Sequence, residues 1–181
     1  EMVLARVNKE LVAKIQTLGI KAAGISGKDG GLLTVEKKFS GSEDIGFVGD
    51  VTEVDTKILE DLLEKYFLPV VFPVGTDKDG VTYNINADEA ASSIATALRA
   101  EKLAYLSDVE GVRLDPEDPE SVISELYTNE AQDLIEQGVI SGGMLPKIEN
   151  CIDAINKGVS RVHIMDGRIP HGLLLEIFTK K

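Results

Sequence analysis

The sequence alternates short apolar runs with longer amphipathic segments, and this alternation limits the chain to few folds. Strand-like runs stand at 68–74 ("LPVVFPV"), 102–108 ("KLAYLSD") and 161–166 ("RVHIMD"). Apolar residues recur at helical spacing in two segments. One segment, within 83–100, comes after the first run, and the other, at 142–158, comes before the last run. We therefore predict an α/β fold, a mostly parallel open sheet with helices on both faces. In such sheets ligands bind beyond the carboxyl ends of the strands.

Local signals predict where several elements begin and end. Asn8 is expected to cap a helix over 8–18 that ends at Gly19. Thr128 or Asn129 is expected to cap a short helix before Gly138. We expect 1–181 to form a single α/β unit.

Composition narrows the classes of partner. The chain has 31 acidic and 19 basic residues, a net charge of -12, which disfavours nucleic acid and anionic membranes as partners. One bound nucleotide is compatible with this charge, because a lysine and a few backbone N–H groups hold a phosphate locally. The lone Cys151 cannot form an intrachain disulfide, which favours a reducing compartment, the cytoplasm or, in a plant, the plastid.

Histidines and the cysteine are too few for a metal site. No His/Cys cluster has zinc-like spacing, so we predict no protein-bound metal. Cys151 lies on the predicted buried face of a helix, which is typical of inert packing. His163 lies within an apolar strand, which is more typical of a core or interface histidine than of a catalytic base.

The first strand-to-helix junction, in "YNINADEAA", carries three short polar side chains. Asn84 or Asn86 can cap the helix by accepting from a free N–H group, and Asp88 in the first turn suits the helix dipole. Capping explains any one of them. The cluster also suits a site, because polar side chains at this edge can bind a substrate and a carboxylate can hold lysines in place.

Two further junctions have the same ambiguity. Ser107 and Asp108 follow a strand and precede Gly111, which predicts a turn or the rim of a ribose or adenine site. In "ISGGMLPKIENC", Gly142-Gly143 opens a helix, where backbone N–H groups and the helix dipole favour an anion. Lys147, one turn into the helix, can lean back toward the same point, although an ordinary solvated lysine explains it equally.

Taken in order, these stretches resemble one family. "VNKELV", "GISGKDGGLL", "NINADEAA", "YLSDVEGV", "ISGGMLPKIENCIDA" and "RVHIMDGRIPHGLLLEIFT" are similar to the acetylglutamate kinases, a branch of the amino acid kinase family. The resemblance covers nearly the whole chain. It implies transfer of a phosphoryl group from ATP, with Mg²⁺, to N-acetyl-L-glutamate, giving ADP and N-acetyl-L-glutamate 5-phosphate, an early step of arginine synthesis.

The resemblance also assigns roles to residues. Asn84 is expected to bind the amino-acid substrate, Asp88 to organise the catalytic lysines, and Lys147 to stabilise the transferring phosphoryl group. The nucleotide-binding rim is expected to comprise Ser107, Asp108, Val109, Glu110, Gly111, Val112, Arg113, Val139, Ile140, Ser141, Gly142, Gly143 and Met144.

The last motif resembles the arginine-inhibited form of the enzyme. His163 and Glu176 match positions that line the arginine site in that group, and a carboxylate suits a guanidinium. The resemblance further implies a homo-oligomer, a dimer or a hexamer, and a nitrogen-signalling protein as a partner.

The match concerns the later part of these enzymes. The family's glycine-rich phosphate loop, first catalytic lysine and substrate-gripping arginine match positions upstream of Glu1, and a glycine-rich end is expected after Lys181. We expect the end of a substrate lobe followed by a nucleotide-binding lobe from about 75 to 181, and no catalysis from these residues alone. Alternatives are a kinase for aspartate, glutamate, carbamate or uridylate, and a non-catalytic nucleotide-binding or regulatory fragment.

Overall fold

The computed structural model describes residues 2–109, 111–115 and 118–178, and these form two compact units. Unit 1 is Glu1–Leu98 and unit 2 is Arg99–Lys181. Both contain parallel strand pairs and helices, which confirms the predicted α/β class. The expected lobe boundary near residue 75 stays a prediction about the whole molecule.

Unit 1 comprises three helices and six strands among its described residues. The helices are α1 (Met2–Thr17), α2 (Lys57–Glu64) and α3 (Ala87–Ala97). The strands are β1 (Ala22–Ser26), β2 (Leu33–Ser40), β3 (Glu43–Val54), β4 (Leu68–Phe72), β5 (Val74–Thr76) and β6 (Thr82–Asn84). A 3₁₀ turn, Asp29–Gly31, precedes β2. Pro73 separates β4 from β5, because proline cannot donate to a strand ladder.

Strand pairing in unit 1 is more varied than the alternation of elements indicates. β1 and β4 pair in parallel, whereas β2 and β3 form a long antiparallel pair and β5 pairs antiparallel with β6. Single parallel contacts, Thr34 with Thr76 and Val48 with Asn84, close β2, β3, β6 and β5 into a small barrel. The hydrophobic pattern identifies strands but not their neighbours, so this closure was not predicted.

The core of unit 1 lies beside the first polar junction. Its buried members come from the barrel strands, α2 and α3, and are Leu32, Leu33, Val35, Leu59, Tyr83, Ile85 and Ala90. Because Tyr83 and Ile85 flank Asn84 in the chain, burial of the two neighbours holds the backbone of Asn84 in place.

The predicted role of Asn8 as a helix cap is wrong. α1 begins at Met2, so Asn8 lies inside the helix and is buried, with its Nδ2 donating to the carbonyl of Val70 at 2.7 Å. Gly24 makes this packing possible, since a Cβ built there would lie 2.0 Å from Asn8 Oδ1. A short polar residue resembles a cap in sequence, but here its amide bonds to a strand 62 residues away.

Unit 2 comprises two strands and three helices among its described residues. They are β7 (Lys102–Ser107), α4 (Thr128–Glu136), α5 (Met144–Asn156), β8 (Arg161–Asp166) and α6 (Gly172–Phe178), with a 3₁₀ turn at Pro119–Ser121. β7 and β8 pair in parallel along their whole length, from Lys102 with Arg161 to Ser107 with Asp166. Their carboxyl ends therefore lie side by side.

The helices of unit 2 pack around a small core. Its buried members are Val112, Ala131, Ile140 and Ile148. The expected cap of α4 at Thr128 or Asn129 is wrong, because the cap position is Tyr127. The carboxylate of Glu130 accepts from the backbone N–H of Tyr127 at 3.0 Å and stabilises this start.

Candidate functional site

At the junction between β6 and α3, the structure shows which of the two asparagines caps the helix. Asn86 is the cap, with Oδ1 accepting from the backbone N–H groups of Asp88 at 2.9 Å and Glu89 at 3.2 Å. Asn84 takes no part in this cap and has an exposed side chain at the end of β6. Capping therefore accounts for Asn86 and leaves Asn84 to be explained.

Asp88 lies in the first turn of α3 and is half-buried. The structure thus brings Asn84 and Asp88 to one strand-to-helix junction within unit 1. A carboxylate at a helix N-terminus is stabilised by the dipole, and from this position Asp88 can bond a cation or a donor group.

Glu89 is a residue that sequence reasoning missed. The pattern from Asn86 to Glu89 is similar to a capping box, in which the glutamate would bond back to the cap. Instead its Oε1 accepts from the backbone N–H of Val51 in β3 at 2.8 Å. Its Oε2 lies 3.9 Å from the ammonium of Lys38, which also bonds Asp50.

This network joins the first turn of α3 to the hairpin formed by β2 and β3. Hydrogen bonding to Asp50 raises the pKa of Lys38, since the charged ammonium is favoured there. Glu89 therefore couples the helix that carries Asp88 to the strand that contacts Asn84, namely β3.

A cavity lies at the carboxyl ends of β7 and β8 in unit 2. Its volume is about 520 Å³, within the range of small-molecule sites. Its lining residues are Asp108, Val109, Gly111, Val112, Arg113, Val139, Ile140, Ser141, Met144 and Arg168. All but Arg168 were predicted for the nucleotide rim. Of the other predicted rim residues, Ser107, Gly142 and Gly143 are not among the lining residues, and Glu110 falls outside the described residues.

Arg168 is the second residue that sequence reasoning missed. Its guanidinium donates to both oxygens of Asp166, from Nε at 2.8 Å and from Nη2 at 2.7 Å, and Nη2 also reaches the carbonyl of Asp108 at 2.8 Å. Hydrogen bonding to Arg168 lowers the pKa of Asp166 from 3.8 to about 2. The three residues "DGR" gave no sequence signal of this contact with Asp108, which follows β7.

Lys147 lies in the second turn of α5, three residues after Met144 of the cavity wall. Residues three apart are neighbours on a helix surface, so Lys147 belongs to the same side of α5 as the cavity. Its ammonium lies 5.1 Å from the centre of the Tyr105 ring, a cation–π contact that the sequence did not predict. Tyr105 is buried in β7, and this burial fixes its ring.

His163 and Glu176 also come together within unit 2. Nδ1 of His163 in β8 lies 3.0 Å from Oε1 of Glu176 in α6, and the side chains are 16% and 26% exposed. With Nδ1 protonated, the imidazole donates to the carboxylate. Nε2 of His163 is buried and has no hydrogen-bond partner in the described part of the chain.

Neither a metal-binding cluster nor a membrane-spanning helix occurs among the described residues. No three histidine, cysteine or acidic side chains in 2–109, 111–115 and 118–178 come together in a way that can hold a metal ion. Over the same ranges, every helix is too short or too polar to cross a membrane.

Comparisons with known proteins identify the family of the chain. The sequence profile of the amino acid kinase family matches residues 2–166. An acetylglutamate kinase of Desulforamulus reducens is 52% identical over 182 residues, which cover 100% of this chain and 63% of that protein. The chain thus spans somewhat less than two thirds of this relative.

Solved structures give two further likenesses. An N-acetylglutamate synthase from Neisseria gonorrhoeae, complexed with coenzyme A and L-arginine, has a TM-score of 0.71 and 30% identity, covering 88% of this chain and 36% of that one. A carbamate kinase from Giardia, at 16% identity, shares the fold with a TM-score of 0.69 over 92% of this chain and 65% of that one. The match of the family profile over most of the chain is decisive: the chain belongs to the amino acid kinase family.

Proposed function

We propose that the native protein transfers the γ-phosphoryl group of ATP to the side-chain carboxylate of N-acetyl-L-glutamate, the reaction of an acetylglutamate kinase. A carboxylate oxygen forms a bond to the γ-phosphorus, the bond to the β-phosphate oxygen breaks, and ADP leaves. The 52% identity to a kinase of that name supports the proposal, as does membership of the family.

The observation that carries the proposal is the cavity at the carboxyl ends of β7 and β8. Its wall comes from Arg168 and from two separate segments, 108–109 with 111–113 and 139–141 with Met144, and both segments were expected to bind the nucleotide. The parallel pair sets this position, because ligands of open α/β sheets bind beyond the carboxyl ends of the strands. Adenine and ribose fit a cavity of this volume, with apolar walls from Val112, Ile140 and Met144.

Lys147 supplies positive charge in the proposed mechanism. Phosphoryl transfer depends on in-line positioning and on cations beside the equatorial oxygens rather than on covalent chemistry. The helix dipole at the start of α5 adds to the charge of the ammonium. Mg²⁺ bound to ATP would neutralise part of the phosphate charge, beside the charge that Lys147 supplies.

Asn84 and Asp88 act on the other reactant and on the cations. The exposed amide of Asn84 donates to or accepts from polar groups of N-acetyl-L-glutamate. The Asp88 carboxylate organises the ammonium groups that contact the phosphates. Both roles need the two side chains to keep a fixed spacing, which their shared junction provides.

Feedback inhibition by arginine is part of the proposal. Glu176 offers a carboxylate to a guanidinium, and His163 orients that carboxylate from 3.0 Å away. The structural relative from Neisseria was solved in complex with L-arginine, which supports arginine as a ligand. We also propose assembly into a homo-oligomer and binding of a nitrogen-signalling protein, both on the basis of the family resemblance.

The test is release of ADP by the purified native protein, measured with a coupled assay. We expect turnover that requires N-acetyl-L-glutamate and decreases when arginine is added. The same assay is run with four alternative substrates in place of N-acetyl-L-glutamate, namely aspartate, glutamate, carbamate and uridylate. Faster turnover with one of these would replace the proposed substrate, and ATP binding without any turnover would make the protein a nucleotide-binding module.

The arginine site is tested separately with Glu176→Gln, which removes the charge and keeps the shape. We expect this variant to retain kinase activity and to lose inhibition by arginine. Glu149→Gln, an exposed carboxylate on α5, is the matched control and should remain inhibited. Equal inhibition of Glu176→Gln and the native protein would remove Glu176 from the arginine site.

A further inference from the structure

The geometry points to Arg168 as a positioning residue that holds the first lining residue of the cavity, Asp108, in place. The inference rests on the proposed function only for the identity of the ligand. Its structural basis is the parallel pair β7 and β8, whose last residues, Ser107 and Asp166, lie directly opposite each other. The chain leaves both strands at this point, so the ladder no longer fixes the residues after Ser107 and Asp166.

The turn after β8 crosses over the end of β7. The backbone N–H of Gly167 donates to the carbonyl of Ser107 at 2.8 Å. A Cβ built on Gly167 would lie 3.3 Å from Cβ of Leu106, so the two chain segments approach closely here. This contact brings Arg168 beside Asp108.

Asp166 fixes the orientation of Arg168. Only 7% of the Asp166 side chain is exposed, and it accepts from the backbone N–H of Arg168 at 2.8 Å as well as from the guanidinium. The guanidinium donates from Nε to Oδ1 and from Nη2 to Oδ2, which makes a fork, and Nε also lies 3.1 Å from Oδ2. Such a fork determines the direction of the guanidinium as well as its distance.

The fork aims Nη2 at the backbone of the rim. Nη2 donates to the carbonyl of Asp108 at 2.8 Å, 60 residues away in the chain. Asp108 and Val109 then begin the wall of the cavity, which Arg168 also lines. The bonded path from buried Asp166 through Arg168 to Asp108 therefore connects the rigid end of β8 to the start of the rim.

A direct contact between Arg168 and a phosphate is the competing explanation. It is disfavoured because Asp166 pairs with the guanidinium and cancels its charge, and an anion would have to displace a bidentate pair. A positioning role needs no net charge. It needs only the planar arrangement of donors that arginine has and lysine lacks.

The first experiment is hydrogen exchange in the nucleotide-free native protein, followed by mass spectrometry of a peptide covering 106–114. We expect Arg168→Gln to speed exchange in this peptide about tenfold, because local opening requires one less bond to break. Arg161→Gln removes the same charge at the opposite, exposed end of β8 and should leave the peptide unchanged. Equal exchange in the two variants would overturn the inference, whatever the protein binds.

The second experiment compares the dissociation constants of adenosine, AMP, ADP and ATP by titration calorimetry. We expect Arg168→Gln to weaken all four by one common factor, about five- to tenfold, as for loss of a positioning hydrogen bond. A loss that grows with each added phosphate would instead show a direct phosphate contact and overturn the inference. Native protein that binds none of the four would contradict the proposed function, while the exchange result still decides the role of Arg168.

The conservative variant Arg168→Lys separates geometry from charge. We expect it to resemble Arg168→Gln within about twofold, because one ammonium cannot bond both Asp166 oxygens and the Asp108 carbonyl in a plane. Asp166→Asn should act in the same direction, since the neutral amide offers only one acceptor. Full recovery of exchange and affinity in Arg168→Lys would mean that charge alone matters and would overturn the positioning role.

Discussion

Units 1 and 2 hold their proposed site residues by different means. In unit 1, Asn84 lies between Tyr83 and Ile85, which are 7% and 2% exposed, so the core itself keeps the junction in place. In unit 2, Asp108 begins a cavity wall whose position depends on one arginine and one buried carboxylate.

The difference concerns which kind of substitution each site tolerates. A junction inside a core is sensitive to changes of volume and insensitive to the loss of one polar contact. A rim held by a few hydrogen bonds is sensitive to single polar substitutions and to pH. The substrate side of the proposed reaction is thus held by packing, and the nucleotide side by polar contacts.

The largest expected effect is kinetic: substitutions in the two units should change different steady-state constants. Lys147→Ala in unit 2 should lower kcat about 100- to 1,000-fold, because the ammonium interacts most strongly with the transferring phosphoryl group in the transition state. Asn84→Ala in unit 1 should instead raise KM for N-acetyl-L-glutamate, since its contact is made before transfer. Steady-state kinetics of both variants measures the split.

The matched control for Lys147 is another lysine at the far end of the same helix. Lys157→Ala removes an exposed lysine that pairs with Asp153 at 2.6 Å, and kcat should stay unchanged. A normal kcat in Lys147→Ala would remove Lys147 from the mechanism.

The next largest effect is a loss of stability caused by overpacking in unit 1. Gly24→Ala should lower the free energy of unfolding by about 2–3 kcal/mol, as overpacking does, because the new methyl group would lie 2.0 Å from Asn8 Oδ1. Urea denaturation measures this loss. Gly143→Ala in unit 2 meets no atom within 4 Å and should be close to neutral. A similar free energy for the two variants would mean that α1 is free to shift away from β1.

A polar contact in unit 1 tests whether packing truly dominates there. Glu89→Ala removes the acceptor of the Val51 N–H and should cost about 1–2 kcal/mol of unfolding free energy. Glu89→Gln keeps an acceptor oxygen and should restore most of it, as urea denaturation would reveal. We expect KM for N-acetyl-L-glutamate to stay within about twofold in both variants, since the core holds Asn84. A large rise of KM would show that unit 1 also depends on polar positioning.

The smallest effect is a pH dependence in unit 2. Arg168 lowers the pKa of Asp166 to about 2, so the stability that this ionised pair contributes is complete above about pH 4 and is lost as the pH falls through 2. Arg168→Gln removes the cause of the lowered pKa. The difference in urea midpoint between native protein and Arg168→Gln should therefore be constant from pH 7 to 5 and shrink toward pH 2. Arg161→Gln should show no such trend, and a constant difference down to pH 2 would contradict the assignment.

Much of the fold could be predicted from local pattern. The run "RVHIMD" predicts β8 at 161–166, and the structure has the strand at Arg161–Asp166. α5 begins at Met144, immediately after the glycine pair that was expected to open it. These predictions succeed because apolar periodicity and glycine punctuation act on neighbouring residues. The cap expected at Asn8 failed because a buried amide can serve a distant strand as well as a helix end.

The candidate site also contains residues that the sequence identified and residues that only the structure revealed. Asn84, Asp88 and the cavity residues from 108 to 113 lie at or just after strand ends, a position that the sequence by itself indicates. The cavity residues from 139 to 144 lie between α4 and the start of α5, and the family resemblance named both sets. Glu89 and Arg168 could not be identified, because their partners, Val51 and Asp108, lie 38 and 60 residues away. The sequence by itself determined the order of strands and helices and the polar residues at their junctions. Only the tertiary structure decided which of those residues hold others in place, since that depends on contacts between segments that no local pattern records.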